Sequence, residues 1–166
     1  MKQFLLVALA YTSILFSCTS TKKEDTQTPM QFSEKIVNME LELGQPLASA
    51  EKSIITKLDS SDYENAGKIA AEAEKLVDEK IKSIEKINAK GFTGGEEFKT
   101  TAINYFEYVK SIYTNYKNIG TAGSEGARLA EVRRMDTIRA NQERVITMMQ
   151  AAQDKFATDN GFQVDK

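Results

Sequence analysis

Met135-Asp-Thr-Ile-Arg-Ala-Asn-Gln-Glu-Arg-Val-Ile-Thr-Met-Met-Gln-Ala-Ala-Gln-Asp-Lys-Phe156 decides the fold of this chain. Met135, Gln142, Met149 and Phe156 recur every seven residues, with Ile138, Val145 and Ala152 interleaved. Steps of three and four describe a helix whose apolar seam lies against other helices. Gln142 is the polar exception; one such residue in a seam sets register or marks a buried site. Asn160-Gly161 supplies the stop, since both residues tolerate left-handed backbone.

Working back from this segment, the same period recurs. Phe98, Ala102, Tyr105, Phe106, Val109, Ile112, Tyr113, Tyr116 and Ile119 predict a third helix, ended by Gly120-Thr-Ala-Gly-Ser-Glu-Gly126. Tyr63, Ala66, Ala70, Ala73, Val77, Ile81 and Ile84 predict a second, opened by the capping-box pattern Ser61-Asp-Tyr-Glu64. Phe32, Ile36, Met39, Leu43, Leu47, Ala50, Ile54 and Leu58 predict a first, which Pro46 and Gly44 should kink or split. Short connections between long helices favour antiparallel neighbours. The expectation is an all-α, up-down-up-down four-helix bundle over residues 30–166, with the first helix kinked near Pro46.

Composition limits what such a bundle can do. With 166 residues there is room for one domain, and a net charge of −2 gives no electrostatic footprint for nucleic acid. Histidine is absent and cysteine occurs once. The commonest general base, the Ser–His and Cys–His pairs, internal disulfides and multi-Cys metal sites are therefore not available. No cofactor or metal is expected, and no nucleophile–base pair can be named.

The first residues carry an address. Met1-Lys-Gln3 is followed by the largely apolar stretch Phe4–Phe16 and then Ser17-Cys18. A positive start, a 13-residue apolar run and a small residue before the break make a secretory signal. The run is too short for a membrane span, which needs roughly 20 apolar residues. An ordinary signal followed by a chance cysteine, or a buried free thiol, is the other reading. Residues 18–29 continue as Cys18-Thr-Ser-Thr-Lys-Lys-Glu-Asp-Thr-Gln-Thr-Pro29, a polar tether on the order of 20 Å end to end.

Leu15-Phe16-Ser17-Cys18 resembles the lipobox of bacterial lipoproteins, though Phe16 is bulkier than the usual residue there. The resemblance implies removal of residues 1–17, a diacylglycerol thioether on Cys18 and acylation of the new amino group. Each buried methylene adds about 0.8 kcal/mol, so two or three acyl chains make a lasting anchor in the bilayer. Lys23-Glu24-Asp25 looks like the short export signal of Bacteroidota-type surface lipoproteins, or serves only solubility. The implied address is the outer membrane, on its periplasmic or cell-surface face.

Other features invite chemistry more weakly. The loop Gly91-Phe-Thr-Gly-Gly95 is followed by Glu96 and Glu97, which repel phosphate, and the loop ending at Gly126 has no Lys-Ser/Thr after it. All five arginines, Arg128, Arg133, Arg134, Arg139 and Arg144, lie in the fourth helix among Glu131, Asp136 and Glu143. They either pair on a solvated face, as Arg139 could with Glu143, or form an anion-binding surface. Tyr108 falls off the aromatic stripe of the third helix and is a candidate for contact with a partner or glycan.

Glu34-Lys-Ile-Val37, Ala102-x-x-Tyr-Phe106 with Tyr113, and Ala152-Gln-Asp-Lys-Phe-Ala157 followed by Gly161-Phe162 resemble an uncharacterised family of helical surface lipoproteins of spirochaetes and Bacteroidota. That resemblance implies a surface-exposed bundle with no established activity. The expected function is a tethered, non-enzymatic domain that binds an envelope protein or glycan, with Arg133, Arg134, Arg139, Arg144 and Tyr108 as the candidate surface. The alternatives are an inhibitor or immunity-type protein shielding an envelope target, and, further off, a hydrolase using carboxylates alone.

Overall fold

The computed structural model describes residues 27–164; Cys18, the segment 1–17 and most of the tether lie outside the described residues. Those described are all-helical and without strands: α1 (Pro29–Asp59), α2 (Tyr63–Glu85), α3 (Gly95–Thr121), α4 (Glu125–Ala140) and α5 (Gln142–Asp159). None of these helices is long and apolar enough to cross a membrane.

The chain becomes helical one residue earlier than the tether boundary drawn from the sequence. Thr28 is the N-cap of α1, its hydroxyl accepting from Gln31 N at 3.2 Å while Gln31 Oε1 accepts from Thr28 N at 2.8 Å. Pro29 fills the first helical position, where its missing N–H would have had no partner. The expected split at Pro46 does not occur: α1 runs unbroken through it, with the ring exposed. One missing ladder bond on the solvent side is tolerated because Leu43 and Leu47 are buried on the other face.

The expected capping box at residues 61–64 is also replaced. Ser61 adopts a left-handed φ of 60° and ends α1, its N–H bonding Leu58 O at 3.0 Å while Asp62 N bonds Lys57 O at 2.8 Å. That pair of bonds is a Schellman stop, with serine in the position glycine usually takes. Asp62 caps α2 without a side-chain bond to the backbone, being held instead by Lys57 and Asn65. The stop at Asn160-Gly161 has the same form. Gly161 has φ 73°, Phe162 N bonds Ala157 O at 3.0 Å, and the Phe162 ring packs on Phe156 at 5.8 Å.

One core links the helices. At one end Phe156 stacks on Phe98 (5.1 Å, 19°) and meets Phe32 edge-on (5.3 Å, 82°), with Phe92 5.5 Å from Phe32. Toward the other end α2 contributes Ala66, Gly67, Ala70 and Ala73, all buried. Small side chains let α2 and α3 approach until Gly67 and Gly120 touch through their backbones. Gly120 is therefore part of the packed last turn of α3, where the sequence suggested only a terminator.

Residue order across the pairings is informative. Between α2 and α3, Gly67 meets Gly120, Glu74 meets Thr114 and Lys117, and Asp78 meets Lys110. Lys80 of α2 reaches Glu42 of α1, and Lys155 of α5 reaches Glu97 of α3. Among the described residues, both ends of the helical stretch are capped by their own residues, and the buried core lies between Phe32 and Ala157. Residues 27–164 thus hold what a self-sufficient domain needs.

Candidate functional site

The continuous fourth helix expected from the seam is broken at Asn141. Its N–H bonds Ile138 O at 3.1 Å and its side-chain Nδ2 bonds Thr137 O at 3.0 Å. An asparagine that offers its own amide to nearby carbonyls competes with the helical ladder, and here it closes α4 and starts α5. Gln142 sits at this break, half-buried, while its heptad mates Met135, Met149 and Phe156 are in the core. It is not the buried polar seam residue the spacing suggested.

A cleft of about 550 Å³ opens beside the break, between α3 and the α4–α5 junction. Small-ligand sites span roughly 300–1,000 Å³. The α3 wall is Thr101, Asn104, Tyr108 and Ser111, spaced three, four and three residues apart, with Tyr105 and Glu107 alongside. Ile138, Asn141, Val145 and Met148 form the opposite wall at the same helical spacing, with Arg144.

Arg144 is exposed at this cleft, and among the described residues it has no carboxylate partner. Its Nη2 donates to Asn141 Oδ1 at 3.2 Å and its Nη1 approaches Met148 Sδ at 3.3 Å. Tyr108 is half-buried, and its hydroxyl is enclosed without a hydrogen-bond partner. Burial raises the Tyr108 hydroxyl above its ordinary value, and the charge of Arg139 works against the rise. Glu107 lies 3.8 Å from Lys110, which partly balances its charge.

The other expected surface residues go elsewhere. Arg133 and Arg134 are exposed on α4, outside the cleft. Arg139 donates from Nη2 to the Tyr116 hydroxyl at 2.9 Å, and that hydroxyl donates onward to Glu51 Oε1 at 3.3 Å. Burial, reinforced by the Glu51 charge, pushes Tyr116 up to about 12. Arg128 places its guanidinium 3.6 Å from the Tyr63 ring centre and bonds Ile119 O and Ala122 O, closing the end of α3.

The remaining tyrosines of α3 fasten it to α1. Tyr105 donates to Glu40 Oε1 at 2.5 Å and Tyr113 to Leu47 O at 3.2 Å. Desolvation raises Glu40 despite that hydrogen bond. No group of three or more His, Cys, Asp or Glu among the described residues is placed to hold a metal ion.

Of the five residues singled out from sequence, then, the fold brings only Tyr108 and Arg144 to one cavity. Thr101, Asn104, Ser111 and Asn141 were missed. The polar row at 101, 104, 108 and 111 was the available signal, since its spacing puts all four on one side of α3. No family model matches the chain, and no curated protein or solved structure matches it either.

Proposed function

We propose that this chain is a bacterial lipoprotein, anchored through acylated Cys18, whose helical domain binds an envelope component without catalysing a reaction. The carrying observation is Leu15-Phe16-Ser17-Cys18 closing an apolar run and opening a polar tether that leads directly into a capped helix. Hydrocarbon on one sulfur makes a resident of the membrane out of a domain that has no apolar span of its own among its described residues. The domain is an up-down-up-down bundle, with α4 and α5 together forming its fourth arm and α1 bent at Pro46. The residue order of the α2–α3 pairing supports that reading, as do the contacts of Lys80 with Glu42 and of Lys155 with Glu97. The absence of histidine and the single cysteine support a binding role over an enzymatic one.

The address is tested by blocking lipoprotein signal peptidase with globomycin in a producing bacterium. Precursor should accumulate, and mass spectrometry of untreated material should show a chain beginning at an acylated Cys18. A mature form with a bare thiol there would overturn the anchor. Capture of envelope proteins and glycans on residues 27–166 tests the binding role. One stoichiometric toxin or hydrolase in the eluate would replace the proposal with an inhibitor of the immunity type.

A further inference from the structure

We infer that the cleft between α3 and the α4–α5 junction binds a small organic anion with an apolar body, held head-first by Arg144. Two observations on independent residues converge there. Arg144 has no carboxylate partner among the described residues, yet its guanidinium is steadied by Asn141 Oδ1, so it keeps donors for an incoming anion. Ile138, Val145 and Met148 line one side and the rings of Tyr105 and Tyr108 the other, a lining that favours hydrocarbon or an aromatic ring over a fully hydrated ion.

Charge placement sets the orientation. Glu107, on the α3 wall, repels an anionic group; Arg144, on the α5 wall, attracts it. The head group therefore sits at the α5 side of the mouth, and the body lies along the α3 tyrosines. The break at Asn141 is what makes the site. An uninterrupted helix would not need the Asn141 side chain at Thr137 O, and it is this turn that presents Oδ1 to Arg144. The inference deepens the binding reading above but not the anchor: an unlipidated domain carries the same cleft.

The test uses two fluorescent probes on residues 27–166: 8-anilinonaphthalene-1-sulfonate, an aromatic body with one sulfonate, and N-phenyl-1-naphthylamine, the same body uncharged. The sulfonate should bind saturably at one site and be displaced by decanoate below its micellar concentration. Arg144→Gln should weaken it by about tenfold or more, the effect of losing a hydrogen bond to a charged group, and leave the neutral probe unchanged. Met148→Glu, at an exposed position beside Arg144, should weaken the sulfonate similarly by repulsion. Arg134→Gln should do nothing. Unchanged sulfonate affinity in both cleft variants, with near-UV circular dichroism intact, would overturn the inference. So would equal binding of the two probes, or Arg144-dependent sedimentation with phosphatidylglycerol vesicles in the absence of decanoate competition. Failure of lipidation at Cys18 would leave all these results standing, so the two proposals fail separately.

Discussion

Gly120→Ala is the sharpest probe of how this core is closed. A Cβ at position 120 would lie 2.5 Å from both Cα and N of Gly67 and 2.7 Å from Tyr63 O. Relaxed carbon contacts sit at about 3.5–4.0 Å, so α2 and α3 must part by about 1 Å over the final turn of α3. Neighbours of that turn include Ile119 and Ala66, both buried, and their packing would loosen together. Overpacking of this kind costs about 1–3 kcal/mol, while alanine recovers up to about 1 kcal/mol of helix propensity. The expected net loss is about 1–2 kcal/mol, or a fall in Tm of about 3–8 °C for a domain of this size.

The measurement is urea unfolding followed by far-UV circular dichroism, with the slope compared between variants to verify that the unfolded state is unchanged. Two other glycines calibrate it. Gly67→Ala would place its Cβ 3.3 Å from Gly120 Cα, a tight contact that small adjustments absorb, and should stay within about 1 kcal/mol of the parent. Gly44→Ala meets nothing within 4 Å in mid-α1 and should gain about 0.5–1 kcal/mol. A Gly120→Ala protein as stable as Gly44→Ala would refute the claim that the two helices touch through their backbones.

Further outcomes follow from other parts of the structure. Ser61→Gly should stabilise by about 1 kcal/mol, because serine holds a left-handed φ that glycine adopts freely; thermal melts would detect it. Phe156→Ala removes the ring that contacts Phe32, Phe92, Phe98 and Phe162, and should lose about 3–5 kcal/mol in the same urea assay. Asp78 is held at about 2 by hydrogen bonds from Lys110 and Lys82. Its folded value is depressed, so its stabilisation is complete above about pH 4 and vanishes as pH falls toward 2; Asp78→Asn should flatten that stretch of a stability–pH curve. Glu40 has the opposite sign. Desolvation raises its folded value, so the fold gains as pH falls through that value and is penalised at neutrality. Glu40→Gln keeps an acceptor for Tyr105 and should raise stability at pH 7 while changing little at pH 4.

Much of the fold was legible because periodicity reports directly on burial. Of the α2 stripe, Ala66, Ala70, Ala73, Val77, Ile81 and Ile84 are all buried, as their spacing required. The misreadings cluster where side chains and backbone compete at helix ends. Ser61 looked like an N-cap because serine often is one, yet the chain used it as a left-handed stop. Asn141 was passed over inside an apparently perfect heptad, because hydrophobic spacing is blind to an amide that captures a carbonyl three or four residues back. The cleft shared this fate: half of it was visible as the off-stripe Tyr108 and the arginine Arg144, but not their meeting.

What this sequence determined by itself was local: four runs of helical periodicity, a C-terminal stop at Asn160-Gly161, and an N-terminal apolar run closed by cysteine. Those depend on neighbours three or four residues away, and such neighbours are written in the chain. Only tertiary structure decided which arginine would stand at a cleft, which tyrosine hydroxyl would be enclosed without a partner, and that Gly120 would press on Gly67. Each of these depends on groups tens of residues apart, or on the relative placement of packed helices. No pattern within a single helix carries that information, because a contact between helices is set by how their surfaces fit.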